Sequence, residues 1–186
     1  YGVKNKILLF NDFSTKKKIQ SLVNNISKGK NIALVSDAGT PLISDPGTNL
    51  VQAAIEEKIK VVPIPGASSL ISALVASGLS AEKFIFYGFL PKKEGELKKL
   101  FEEIRFETKT QIFFESPKRI KKTLLIIQEE FNLNQKIVIA REITKIYEEF
   151  YRGKVSDLSE ILSNNSNNIE KGELVIILEG SNEKYE

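Results

Sequence analysis

A chain of 186 residues, 41% apolar and 27% charged, is long enough for one large or two small globular cores, and its net charge of +3 is only weakly basic. It contains neither cysteine nor histidine, which excludes disulfide frameworks, thiolate chemistry and Ser-His-Asp hydrolysis and removes the commonest general base and metal ligand. No stretch approaches the roughly 18 apolar residues of a membrane span, Tyr1-Gly2-Val3-Lys4 has no signal-peptide character, and no carboxylate cluster has metal-ligand spacing, so a cytoplasmic protein without membrane or metal partner is expected.

The first predicted element is a helix from Thr15 to Lys28, with Ile19, Leu22, Val23 and Ile26 at helical spacing, a cap at Ser14 or Thr15 and a stop at Gly29. The continuous apolar run Asn31 to Ser36 has the length of a buried strand. A loop from Asp37 to Ser44 leads to Asp45-Pro46, read as an N-cap and first-turn proline of a helix that runs to Lys58 and buries Leu50, Val51, Ala54 and Ile55. A short strand follows at Lys60 to Ile64, then the turn Pro65 to Ser68 and a helix of small residues ending near Gly78. Strand–loop–helix repeated in this way predicts parallel βαβ units, whose ligand loops lie at the carboxyl ends of the strands.

The organisation changes around Leu79-Ser80-Ala81, which places a domain boundary there and defines domains 1–80 and 81–186. Phe84 to Gly88 reads as a strand, and Glu94 to Arg105 as a helix burying Leu97, Leu100, Phe101 and Ile104. Thr110 to Phe114 reads as a strand, and Pro117 to Glu130 as a helix with Ile120, Leu124 and Ile127 inward. Three more strands are expected at Ile137 to Ala140, Glu148 to Val155 and Glu173 to Leu178. A short helix, Asp157 to Leu162, and a polar loop, Asn164 to Asn168, separate the last two.

Two loops concentrate features suited to a ligand. In Ser36 to Gly47, Gly39 permits positive φ, Thr40 adds a hydroxyl, and Pro41 and Pro46 lower the entropy lost on binding. Pro65-Gly66-Ala67-Ser68-Ser69 precedes small residues that admit a close approach. The plainer alternative for both is tight βα connection and helix–sheet packing. The basic stretches Lys92-Lys93 with Lys98-Lys99, and Lys118-Arg119 with Lys121-Lys122, read either as solvated helix faces or as contacts to a phosphate backbone. Phe86, Tyr87 and Phe89 read as base-stacking or core residues, and Tyr147, Phe150 and Tyr151 as packing.

The string Ser36-Asp37-Ala38-Gly39-Thr40-Pro41-Leu42-Ile43-Ser44-Asp45-Pro46-Gly47 resembles the cofactor loop of the tetrapyrrole methylase superfamily, in its branch that 2′-O-methylates a cytidine of small-subunit (16S) ribosomal RNA. Val62 to Ser69, Phe86 to Pro91, Phe114-Glu115-Ser116-Pro117-Lys118-Arg119, Ala140 to Lys145, Glu148-Glu149, Arg152-Gly153 and Lys171 to Val175 resemble the same branch in the same order. The resemblance implies two α/β domains with S-adenosylmethionine in the cleft between them, usually in a homodimer acting on the small ribosomal subunit. The family's opening strand and glycine-rich loop have no counterpart here, and methionine is absent, so an incomplete N-terminal domain is expected. Two readings compete: a C-methyltransferase of corrin or sirohaem precursors, and an inactive fragment that dimerises or holds RNA.

Carried over residue by residue, the resemblance implies cofactor contacts at Asp37, Gly39, Thr40, Pro41 and Ile43, at Ser68 and Ser69, and at Phe114, Gly172, Glu173 and Leu174. Glu115, Arg141, Glu142 and Lys145 are the candidate catalytic groups on the acceptor side. Glu115 or Glu142 would take a proton, and Arg119 and Arg141 would hold phosphates through paired N–H donors. Lys92, Lys93, Lys118 and Arg119 are the candidate RNA contacts. The alternative is that Glu115–Arg119 and Arg141–Glu142 are structural ion pairs.

Overall fold

The computed structural model describes Gly2 and residues 4–182, apart from the side chains of 165–167; Tyr1 and Val3 of the opening tetrapeptide lie outside the described residues. The contacts divide the chain into two units, Tyr1–Ala67 and Ser68–Glu186.

In the first unit, α1 (Lys16–Ser27) starts where the Thr15 hydroxyl accepts from the Lys18 amide at 3.3 Å. Leu22 and Val23 of α1 meet Leu50 of α2 (Thr48–Glu56), with Phe10, Ile19, Ala53 and Ile59 around them. Three expectations change here. The helix is capped by Gly47 rather than Asp45, because positive φ at Ser44 (58°) and Gly47 (144°) turns the chain once more before the helix begins. Ile55 is 60% exposed and Val51 only half-buried, since α1 covers the Leu50–Ala54 face alone. The runs Asn31–Ser36 and Lys60–Ile64 join no ladder among the described residues. Val35 (79% exposed) and Ile64 (83%) face solvent, and an apolar run becomes a buried strand only when neighbours pair its backbone and cover its faces.

The second unit opens with α3 (Ser69–Ser77), which packs Leu70, Ala73 and Leu74 against Ile112, Val138, Ala140, Val175 and Ile177. That packing groups α3 with the C-terminal sheet, so the division falls ahead of Leu79–Ala81. The sheet comprises β1 (Phe84–Phe89), β2 (Thr110–Glu115), β3 (Lys136–Arg141), β4 (Glu149–Lys154) and β5 (Leu174–Leu178), in the order β1-β2-β5-β3-β4. β1 and β2 are parallel, while β5 runs antiparallel to both β2 and β3, and β4 antiparallel to β3. Consequently β1, β2 and β3 all point the same way.

Helices α4 (Glu94–Ile104), α5 (Ile120–Glu130) and α6 (Leu158–Ile169) share a core with Phe113, Ile137, Ile139, Ile176 and Leu178 on the sheet face opposite α3. Phe101, Ile120, Leu124 and Ile127 are fully buried there, as helical spacing requires of an inward stripe. α5 begins at Ile120 rather than Pro117, because residues 116–119 form a turn closed by the Arg119 amide on the Ser116 carbonyl at 2.9 Å. Asn164–Asn168 is helix, not loop. Fully buried Leu158 and Ile169 anchor both ends of α6, and tertiary burial outweighs the poor helix propensity of Asn and Ser. No described helix is long and apolar enough to cross a membrane.

Candidate functional site

The strand directions put the chemistry-bearing segments of the second unit on one rim. β1 ends at Phe89, β2 at Glu115 and β3 at Arg141, while β5 starts at Leu174 and β4 at Glu149. The register ties Glu115 and Arg141 to Leu174 and Arg141 to Glu149. Hence Lys92-Lys93, Phe114-Glu115, Lys118-Arg119, Arg141-Glu142, Lys145 and Gly172-Glu173-Leu174, scattered over the sequence, all lie at the carboxyl ends of the three co-directional strands. That rim is where open α/β sheets bind ligands.

At one end of the rim Glu115 and Arg119 form a fastener. The Glu115 side chain is excluded from solvent. It accepts from Arg119 Nη2 at 2.6 Å, from the Ser116 amide at 2.5 Å and from the Thr123 hydroxyl at 2.6 Å. The Arg119 guanidinium also donates to the carbonyls of Pro91 (2.9 Å) and Leu90 (3.2 and 3.3 Å). One buried carboxylate therefore bolts the loop after β1 to the loop after β2, and both of its oxygens are already occupied. Thr123, which sequence reasoning did not single out, completes the cluster; its signal was a polar residue on the inward stripe of α5.

At the other end Arg141, only 7% exposed, donates to the carbonyls of Lys171 (2.9 Å) and Tyr147 (3.0 Å) and lies 3.5 Å from Glu149. Glu149 also receives the hydroxyl of buried Tyr151 at 2.5 Å; burial first, and then this bond, push the phenol's pKa upward. Tyr147, expected to pack, is 69% exposed, because the β3–β4 loop projects it away from the sheet. Glu142 has φ +48° and sits over Gly172 (φ +80°), where an added Cβ would fall within the Glu142 carboxyl group. Its Oε1 accepts from the Glu173 amide at 2.8 Å and from Lys145 Nζ at 3.0 Å, while Lys145 also reaches Glu173 at 3.1 Å. The Glu173 amide, and then Lys145, hold the Glu142 carboxyl below the usual carboxylate range. Glu142, and then Glu173, raise the Lys145 ammonium. The turns 142–145 and 171–173 are thus interlocked by charge.

On the β1–β2 side of the sheet stands an aromatic step. Phe86 and Phe89 both meet the Phe114 ring edge-on, at 4.8 and 5.5 Å, because the β1 register shifts between them. Tyr87 stacks on Phe113 on the opposite face, and Phe89 remains 60% exposed. Arg152, at the far sheet edge, lies over the Phe150 ring (4.6 Å) and caps α3 through the Ala76 carbonyl at 2.7 Å.

Asp37, Gly39, Thr40, Pro41 and Ile43 lie in the first unit. Their loop carries positive φ at Gly39 (74°), Leu42 (73°), Ser44 (58°) and Gly47 (144°), and two of these are not glycine. Such conformations persist only where the surroundings enforce them, and they cluster at ligand clamps. The enforcement is visible: a Cβ on Gly47 would lie 2.7 Å from Leu34 and 3.0 Å from Leu42, and the Thr40 hydroxyl donates to the Ala67 carbonyl at 2.8 Å. Ser36 Oγ bonds the Gly39 carbonyl at 3.1 Å. Asp37 through Thr40 are exposed, so the loop presents backbone amides and carbonyls to solvent. Ser68 is the N-cap of α3, its hydroxyl accepting from the Ile71 amide at 3.4 Å, and Ser69 is the first helical residue. Among the described residues no group of three or more acidic, histidine or cysteine side chains could hold a metal ion.

A mixed sheet whose three co-directional strands end on one rim defines the open α/β class, in which ligand loops lie at such ends. Residues 6–159 match the model of the Tetrapyrrole (Corrin/Porphyrin) Methylases, and the chain belongs to that family. Within it, the chain is 43% identical, over 97% of its length, to a protein of Streptococcus pyogenes serotype M3 named Ribosomal RNA small subunit methyltransferase I. It is 44% identical, again over 97%, to the protein of that name from Haemophilus influenzae. It spans 62% and 63% of those two relatives, so it matches less than two thirds of their length. The methyltransferase CobJ shares the fold, with a TM-score of 0.64 at 16% identity, over 91% of this chain and 73% of that one. So does uroporphyrin-III C-methyl transferase from Thermus thermophilus complexed with S-adenyl homocysteine, with a TM-score of 0.52 at 15% identity, over 87% and 72%.

Proposed function

We propose that this chain serves S-adenosylmethionine-dependent 2′-O-methylation of a cytidine ribose in 16S ribosomal RNA, on the small ribosomal subunit, in the cytoplasm and as a homodimer. The observation that carries the reading is the single rim, on which the C-terminal segments resembling the RNA-methylating branch come together, Arg152-Gly153 excepted, in a chain 43% identical to relatives of that name. When bound, S-adenosylmethionine supplies a sulfonium-activated methyl carbon. The loop of Asp37, Gly39, Thr40, Pro41 and Ile43, the α3 start at Ser68 and Ser69, and Phe114 with Gly172, Glu173 and Leu174 are the groups proposed to hold it.

The protein's own contribution is positional. Holding an acceptor hydroxyl at a fixed place against an activated donor lowers a barrier by about 7–11 kcal/mol. Glu115 and Arg141 act as positioning residues, since both Glu115 oxygens and the Arg141 Nε and Nη1 groups bind the loops they fasten. Glu142 and Lys145 shape the turn that carries Gly172 and Glu173. Glu173, whose side chain is 67% exposed beside Lys145, is a carboxylate on this rim open to an acceptor. The exposed Phe89 ring suits an unstacked base.

The test incubates the intact polypeptide with undermethylated small ribosomal subunits and a methyl-labelled donor, then digests the RNA and separates nucleosides by mass. Label in 2′-O-methylcytidine is the expected result. Label in a base only, or transfer only to a uroporphyrinogen-type acceptor, would overturn the reading.

A further inference from the structure

The loops that Arg119 bolts together leave a cleft between them, lined by Pro91, Lys92, Glu94, Lys118, Arg119 and Lys122 over the buried Thr123 and Leu97. Its cations divide into two groups. Arg119 is neutralised by Glu115 beneath it (2.6 Å), and Lys122 by Glu94 (2.7 Å). Next to the cleft, Lys93 pairs with Glu96 (2.9 Å), Lys98 with Glu129 (3.0 Å) and Lys121 with Glu170 (3.1 Å). Lys92 and Lys118, one on each wall, are both exposed and form no ion pair among the described residues. The uncompensated charge of the cleft therefore comes from these two lysines, whose separation is fixed by the Arg119–Glu115 fastener below.

We propose that this cleft binds an RNA phosphodiester through Lys92 and Lys118, with Arg119 as its frame rather than its ligand; the inference rests on the RNA reading above and assigns the backbone contact within it. A site fixed by a buried ion pair can hold a phosphate at constant register relative to the rim, which is what positions one ribose among many. Phosphate contacts of this kind set orientation, not sequence.

The experiment measures binding of the chain to a labelled single-stranded RNA of small-subunit sequence across a salt series, and its elution from immobilised heparin. For single strands each lost phosphate contact lowers the slope of log affinity against log salt by about 0.7. The pair K92Q/K118Q is expected to lower the slope by about 1.4 and to elute from heparin at lower salt, while K109Q/K136Q, at lysines paired with Glu107 and Glu179, leaves both unchanged. Equal loss in the two pairs, or none in either, overturns the cleft. If heparin elution separates the pairs but the unmodified chain binds no RNA, the cleft stands and the RNA reading falls. Binding to neither overturns both. Matching circular dichroism melts of the two pairs exclude misfolding as the cause.

Discussion

Glu115→Gln separates a carboxylate that builds the site from one that acts in it. The side chain is wholly excluded from solvent and has three donors: Arg119, the Ser116 amide and Thr123. Glutamine keeps the shape and can still accept on one side, while the Thr123 hydroxyl can rotate to accept from the new amide. The charge is what disappears. Removing one partner of a buried pair costs about 3–5 kcal/mol. Arg119 keeps a quarter of its side-chain surface and its bonds to two carbonyls, which brings the expectation to about 2–3 kcal/mol. For a chain of this length that corresponds to a fall of about 4–12 °C in thermal midpoint. The assay pairs melting with methyl transfer per folded molecule. Adding Thr123→Val should cost less than the sum of the two single changes, because both act on one network. A variant that melts like the parent yet transfers no methyl groups would refute the fastener and return Glu115 to the reacting atoms.

Gly172→Ala forces a left-handed non-glycine residue and drives a methyl group into the Glu142 carboxyl, so a loss of at least about 1–2 kcal/mol in urea denaturation is expected, with weakened S-adenosylhomocysteine binding. The depressed pKa of Glu142 means that its contribution to stability is complete above the ordinary carboxyl value of 4.5 and disappears as pH falls through the lower folded value. Urea midpoints measured downward from about pH 6 should show an acid loss that Glu142→Gln flattens. Thr40→Val removes the hydroxyl that reaches Ala67, at a net cost of about 1 kcal/mol, and should weaken S-adenosylhomocysteine several-fold by calorimetry without changing RNA retention.

Periodicity alone placed α4, α5, β2, β3 and β5, since Phe101, Leu124 and Ile127 and the strand runs carry spacings that only burial explains. It misread Asn31–Ser36 and Lys60–Ile64 because hydrophobicity reports a capacity for burial, whereas pairing depends on neighbours elsewhere in the fold. It misread Asn164–Asn168 because local propensity does not reveal that Ile169 is anchored in a distant core. The candidate site was legible as strings of residues but not as roles. Nothing in the spelling of Phe-Glu-Ser-Pro-Lys-Arg says that the glutamate is buried and the arginine turned toward Leu90 and Pro91. Nor does the sequence distinguish Lys92 and Lys118 from lysines that find a glutamate nearby; that depends on which helix faces meet.

The strand order also bears on synthesis. β5 is inserted between β2 and β3, so the backbone hydrogen bonds that join these two strands into one sheet run through residues 174–178. A nascent chain that has exposed β1 to β4 still holds a parallel β1–β2 pair and an antiparallel β3–β4 pair as separate halves with open edges, and such edges recruit other polypeptides. Ribosome-stalled chains halted before Leu174 should therefore stay bound to chaperones and sensitive to protease, and release of the next few residues should close the whole unit in one step.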